Sequence, residues 1–218
     1  MRLFVVRHYK TMSNARKLII GWGDSPPEHG WEADLIAVGR ILQEAAVEPV
    51  CIYTSKLERA RATGGFLAQM LDVEQQRTSA ALNEVNYGIL YSKSKKWVAE
   101  HIPQYKTDPD FVFPKGESFA QMQARSVACV RQIARKHAGQ DVLMVVHAGV
   151  VRGLICHFLG LDYAPNLKRR VSHRYIGVFE IVSGNCRSYD EWGSRSSFVA
   201  EGLISVPRKI PLEGQDSA

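Results

Sequence analysis

The sequence predicts an α/β fold on a mainly parallel sheet, and three observations carry that prediction. Residues 2–6, 50–55 and 141–146 contain continuous, β-branched apolar runs, the pattern of strands covered on both faces. Segments with helical spacing follow them, over 31–47, 57–71, 117–137 and 149–160, so strands and helices alternate along the chain. Each apolar run also stops abruptly in polar residues: Arg7-His8, Thr54-Ser55 and His147. Parallel strands joined by right-handed crossovers set their carboxyl ends along one rim. Two histidines and their polar neighbours are therefore expected on that rim.

The elements follow in order. Leu3-Phe4-Val5-Val6 is the first strand. Residues 10–29 carry Gly21, Gly23, Asp24, Ser25, Pro26 and Pro27 and read as loop. Leu35, Val38, Leu42 and Ala46 recur at helical spacing within 31–47. The helix over 57–71 contains Gly64-Gly65, a pair that weakens a helix and points to close packing. A short strand is expected at 75–78. Residues 85–115 are rich in Tyr, Lys, Pro and Asp and read as a surface excursion with a short helix at 95–101. "YIGVFEIV" and "CRSYDEW" are two late strands, the second polar and hence nearer an edge. One domain over 1–206 and a mobile tail over 207–218 are expected, the tail because of its Pro, Lys, Gly and Ser content.

Composition narrows the function classes. The chain has 218 residues, a net charge of +6, and no dense basic block with interleaved aromatics, so the charge favours anionic partners without selecting nucleic acid. No apolar run approaches the ~18 residues of a membrane span, and no signal peptide precedes the first strand. Cys51, Cys129, Cys156 and Cys186 lack metal or disulfide spacing and read as reduced thiols of a cytoplasmic protein. Nothing in the sequence separates a monomer from a homodimer.

The chemistry-bearing residues are two histidines and at least two arginines. There is no phosphate-binding glycine loop, no base-activated serine or cysteine, and no carboxylate cluster of metal-binding type. Guanidinium groups grip phosphate oxygens bidentately. A neutral imidazole can attack phosphorus and divide one difficult displacement into two.

Five blocks in order, "VVRHYKTMSNARKLIIGWGDSPPEHGW", "YTSKLERARATG", "LNEVNYG", "PKGES" and "VVHAGVVRGL", resemble the histidine phosphatase superfamily in its phosphoglycerate-mutase-like branch. The resemblance implies a three-layer α/β/α sandwich of phosphoglycerate-mutase-like type and a metal-independent, cofactor-free phosphatase acting on a small phosphorylated substrate. It implies that His8 is the nucleophile, that Arg7, Arg59 and His147 bind the phosphoryl oxygens, and that Asn14 lies in the pocket. Glu84 is the implied leaving-group acid, and the Ala148 backbone closes the site. The chain departs from the family pattern at Tyr9, Lys10, Ile20 and Ala148, where the family usually has Gly, an acidic residue, Gln and Gly.

Each residue keeps a plainer reading. His8 and His147 could be satisfied strand-end histidines, Arg7 a surface cation, Glu84 a surface loop residue and Asn14 a turn cap. Thr11 and Ser55 read as caps, Arg61 as solvated, and His29, His101, His137, His157 and His173 as structural. Trp22, Tyr87, Tyr91 and Trp97 read equally as pocket or packing. A mutase of the same family is the nearest rival function, disfavoured by the short segment after Glu84. A non-catalytic phosphate-binding module is the rival from another class.

Overall fold

The structure is a computed structural model that describes residues 1–193. Residues 194–206 of the expected domain and the expected tail lie outside the described residues.

The chain runs β1 (Arg2–Arg7), α1 (Met12–Ala15), α2 (Trp31–Glu44), β2 (Ile52–Ser55), α3 (Glu58–Leu71), β3 (Gln76–Ser79), α4 (Lys95–His101), α5 (Phe119–Lys136), β4 (Asp141–Val146), α6 (Ala148–Leu159), α7 (Tyr163–Asn166), β5 (Tyr175–Val182) and β6 (Asn185–Gly193). One sheet has the order β3-β2-β4-β1-β5-β6. The first four strands in that order are parallel to one another; β5 runs antiparallel to β1, and β6 antiparallel to β5. As expected from its polar sequence, β6 is an edge.

Strand alternation divides the core into two layers. Leu3 and Val5 of β1, with Val142, Met144 and Val146 of β4, pack with α5 and α6. Phe4, Val6, Leu143 and Val145 face the other way, with Val38 and Leu42 of α2 and Leu67 of α3. Both faces are covered, which explains the unbroken apolar runs. Gly64 lets α3 press onto β2: a Cβ there would strike Thr54, whereas one on Gly65 would meet open space.

Two expectations need correction. The helix predicted to 47 ends at Glu44, because Ala46 turns left-handed at φ 48° and the Val47 amide bonds back to Leu42. Ala46 is exposed rather than part of the apolar face. The 85–115 segment is also more than a surface excursion. Tyr87, Leu90, Val98, Tyr105 and Phe113 are buried in it, and the Tyr87 and Phe113 rings, tilted on each other, both pack edge-to-face with Phe119. That aromatic cluster fixes the segment to the start of α5.

All four cysteines are free, and Cys51, Cys129 and Cys156 are buried. Among the described residues no helix is long and apolar enough to cross a membrane.

Candidate active site

The sheet register brings the two histidines together. Arg7 of β1 stands opposite Val146 of the parallel neighbour β4, so His8 and His147 leave the sheet side by side. The His8 amide donates to Val146 O at 3.0 Å, and the two rings lie 5.0 Å apart. Thr54 of β2 pairs with Val145 of β4, which puts Ser55 beside His147. Ser55 Oγ lies 2.7 Å from His147 Nε2 and accepts the Leu57 amide at 3.2 Å. Ser55 thus orients His147 as well as capping a turn, a second role the sequence reading did not assign.

His8 is held in one tautomer. Its Nδ1 lies 2.6 Å from Tyr9 O and can only donate there, so the lone pair lies on Nε2. Arg59 Nε donates to that Nε2 at 3.3 Å. Burial, then Arg59, His147, Arg7 and His173, push the His8 pKa well below the usual histidine value. Burial, then Arg59, Arg7 and Arg125, do the same to His147. Both imidazoles are neutral near pH 7.

Arg59 enters in the first turn of α3, where β2 ends. Its Nη2 and Nη1 donate to Gly21 O at 2.6 Å and Gly23 O at 2.8 Å, so the 20–24 loop aims the guanidinium at His8. Arg7 Nη1 donates to Val171 O, and its Nε is buried without a partner. His147 Nδ1 is a second orphaned buried nitrogen. The unpaired Arg7 Nε–H beside an imidazole suits an anion that would complete it. Burial lowers Arg7 to about 9 and Arg59 to about 10, and both remain cations at neutral pH.

Glu84 reaches the site from the loop after β3. Its Oε1 accepts the Val85 amide at 3.0 Å and its Oε2 accepts the Gly149 amide at 3.1 Å. The loop is clamped from behind. Arg125 of α5 donates to the Ala81, Asn83 and Glu84 carbonyls and pairs with Glu117, and Trp22 Nε1 donates to Glu84 O at 2.6 Å. Gly149 is required here, since a Cβ on it would overlap the Glu84 carboxylate. The amino end of α6 faces the same cavity, which favours anions there.

These groups surround a cavity of about 830 Å³. Arg7, His8, Asn14, Arg59, Glu84 and Ala148 all line it. His147 lies just behind His8 rather than on the wall. Asn14 lines the cavity and also closes a capping box with Thr11. Of the aromatics left open, Tyr87 lines the cavity; Trp22, Tyr91 and Trp97 are exposed. Arg61 pairs with Glu58 in solvent.

His173 belongs to this site and not to the structural histidines. Its Nδ1 lies 2.7 Å from His8 O, so the ring donates there and its Nε2 is bare. Burial, then Arg7, lower it to about 3. Because β5 is antiparallel, its amino end, not its carboxyl end, meets the rim. A reading confined to strand carboxyl ends passes over it. Lys95, Tyr105, Lys106 and Arg152 also line the cavity without having been singled out.

A parallel rim that gathers neutral imidazoles, buried arginines and a helix amino end defines an α/β protein with an anion pocket. The chain belongs to the histidine phosphatase superfamily (branch 1), whose family model matches residues 3–191. It is 31% identical over 170 residues to a 2,3-bisphosphoglycerate-dependent phosphoglycerate mutase of Bartonella tribocorum, covering 73% of this chain and 82% of that one. It is 31% identical over 158 residues to a metal-independent phosphoserine phosphatase of Arabidopsis thaliana, covering 70% and 66%. In structure it resembles Bacillus stearothermophilus YhfR, with a TM-score of 0.77, 25% identity and coverage of 85% and 94%. A mycobacterial glucosyl-3-phosphoglycerate phosphatase bound to VO3 shares the fold at TM-score 0.77 and 21% identity, covering 89% and 99%. These relatives include both a mutase and a phosphatase.

Proposed function

We propose that the protein hydrolyses phosphate monoesters of small molecules through a phosphohistidine on His8. The observation that carries this reading is the tautomer lock: Nδ1 is committed to Tyr9 O, which leaves the lone pair of a neutral His8 on Nε2, beside Arg59 and the unpartnered Nε of Arg7.

Nε2 attacks phosphorus as the ester P–O bond breaks. Glu84, in its acid form, gives its proton to the departing oxygen. The resulting carboxylate then takes a proton from water as the water attacks phosphorus and the P–N bond breaks, which restores neutral His8. Arg7, Arg59, His147 and the amino end of α6 offset charge on the transferring oxygens. Asn14 and Ala148 complete the wall.

Hydrolysis requires that water reach the phosphohistidine, and the cavity mouth is rimmed by exposed Lys17, Lys168 and Arg170. Transfer to a second hydroxyl, as in a mutase, is the other reading, favoured by the relatives that carry that name. Rapid alkaline quench after mixing with an aryl phosphate separates the two. Phosphohistidine on His8 that turns over to inorganic phosphate within the catalytic cycle is expected. A long-lived phosphoenzyme discharged only by an added alcohol would favour the mutase. His8→Ala should lower kcat by on the order of 10³ or more, and near-normal turnover in it would remove the mechanism.

A further inference from the structure

The peptide group that follows His8 is held at both ends. The Tyr9 amide donates to Thr63 Oγ1 at 3.0 Å, and His8 O accepts His173 Nδ1 at 2.7 Å. Thr63 is fully buried, and its own hydroxyl donates to Arg59 O at 2.8 Å, so the first hold comes from the helix turn that carries Arg59. The second stands where the sheet runs out. Pairing of β1 with β5 ends at Val6 and Ile176, and the His173 side chain supplies His8 O with the donor that a longer ladder would have supplied. The plane of this peptide matters because the next carbonyl along, Tyr9 O, takes the Nδ1 proton of His8 at 2.6 Å. A turn of ψ at His8 moves the plane, and Tyr9 O moves with it.

His173 is itself well fixed. Val171 O accepts Arg7 Nη1, Ser172 Oγ accepts the Arg174 amide at 3.1 Å, and Arg174 Nε is joined to Asp34 of α2 at 2.6 Å. The 171–174 segment before β5 therefore grips both members of the Arg7-His8 pair, the first by its main chain and the second by an imidazole. Burial, then Arg7, keep that imidazole neutral at pH 7, so its single ring proton is the one on Nδ1. Neutral His8 obeys the same rule: it has one proton and two nitrogens, and the partner of one decides which keeps its lone pair.

We propose that His173 is a positioning residue for the nucleophile: through its bond to His8 O, and opposite Thr63, it fixes the 8–9 peptide plane that holds the His8 Nδ1 proton on Tyr9 O and keeps the lone pair on Nε2, beside Arg59. It rests on the hydrolytic reading only in that His8 is the nucleophile; the hold on His8 can be measured without turnover. The atom that matters is Nδ1 of His173. Asparagine carries its amide nitrogen the same number of bonds from Cα, and leucine has the shape of asparagine without the donor.

NMR of protein with 15N-labelled histidine rings reads which nitrogen of each ring carries the proton and how fast that proton exchanges with water. At pH 7 both His8 and His173 should carry it on Nδ1, the His8 signals being those lost in His8→Ala. His173→Leu should speed exchange of the His8 Nδ1 proton about tenfold or more, or move it to Nε2. It should also slow phosphohistidine formation from a nitrophenyl phosphate by about 10–100-fold, while the half-saturating concentration stays within about threefold because Arg7 and Arg59 are untouched. His173→Asn should recover most of both losses. Thermal melts establish that each variant is folded, and His173→Ala replaces the leucine variant if it is not. A proton on Nε2 of His173 in the unaltered protein would overturn the proposal without any variant. So would unchanged exchange and rate in His173→Leu, or an asparagine variant as slow as the leucine one. If the His8 proton responds in His173→Leu while no form of the protein makes phosphohistidine, the hydrolytic reading fails and the hold on His8 stands. If phosphohistidine forms at one rate in all of them and the His8 proton does not respond, the reverse is true.

Discussion

Gly149→Ala tests the active-site geometry more sharply than removal of any acid or base. Gly149 is the second residue of α6, its φ is not in the left-handed region, and alanine favours a helix interior there by about 0.5–1 kcal/mol. The obstacle is local. A Cβ on Gly149 would lie 3.0 Å from Cδ of Glu84 and overlap Oε1. The limiting overlap is with Oε1, at 2.0 Å, so the carboxyl must turn or retreat by about 1–1.5 Å to regain van der Waals contact. The retreat breaks the 3.1 Å bond from the Gly149 amide, a charge-assisted bond worth about 1.5–3 kcal/mol. Net destabilisation is therefore about 1–2 kcal/mol, a melting shift of a few degrees, and the variant stays folded at assay temperature. A misplacement of about 1 Å is worth on the order of 10² in rate, within the range of a general acid. The assay compares kcat for an alkyl phosphate with burst formation of phosphohistidine from a nitrophenyl phosphate. The alkyl ester needs protonation and should slow about 10²-fold. The aryl ester leaves unaided and should slow less than tenfold. In a Glu84→Gln background the Gly149 change should add little, because the two act on one group. Equal loss on both esters, or full additivity, would refute the assignment of Glu84 as the leaving-group acid.

Two further outcomes follow from the charges of the site. His8 and His147 are buried neutral with folded pKa values below the unfolded value, so below about pH 6.5 the unfolded chain binds protons that the folded chain refuses. Stability is full above that pH and should fall as pH drops, by up to about 1.4 kcal/mol per pH unit for each histidine, measured by urea unfolding from pH 7 to 5; a His8→Ala, His147→Ala double variant with the same acid slope would contradict this. The positive charge of the site is supplied by arginine and lysine, and among the described residues no three His, Cys, Asp or Glu side chains gather to hold a metal. Activity should change less than twofold in EDTA, and loss restored by Mg²⁺ would show otherwise.

The sequence disclosed the parts of the fold that periodicity encodes. β1 and β4 are covered on both faces, so their residues are uniformly apolar and the following histidines stand out. Residues placed by tertiary structure were hidden. His173 reaches His8 because β5 runs antiparallel, and a direction cannot be read from an apolar run. Lys95, Lys106 and Arg152 converge only once the 85–115 segment folds onto Phe119, and an irregular segment has no period to place its side chains. The helices α1 and α7, four residues each, hold too few residues for a hydrophobic face; their signal is the cap, Thr11 with Asn14 in one and Asp162 in the other. Asn14 shows that capping and lining are not exclusive readings: one face of the residue binds Thr11 while it forms part of the cavity wall.

The four departures from the family pattern share a physical logic. Tyr9 stands where glycine is usual, yet its φ is not positive, so the freedom of glycine is unused. Its amide donates to Thr63 Oγ1 at 3.0 Å and its ring lies 4.8 Å from Trp31, off the cavity wall. The added bulk thus packs between α2 and α3 and leaves His8 Nε2 clear. Lys10 is joined to Glu28 at 2.7 Å, so its charge is largely answered before any ligand arrives. Ile20 is buried in the wall, and the loop's contribution to the site is the neighbouring Gly21 carbonyl that aims Arg59, a backbone group indifferent to the side chain before it. Ala148 lines the cavity, while Gly149, the position with no room for a Cβ, is still glycine. Substitution has occurred where the site uses backbone or open space. It has not occurred where a side-chain atom or its absence is needed, at His8, Arg59, Glu84, His147 and Gly149. That distribution is what retained chemistry with an altered surround would produce. A pocket kept only to hold phosphate would have no need to keep position 149 clear for the carboxylate of Glu84, a group that repels the anion.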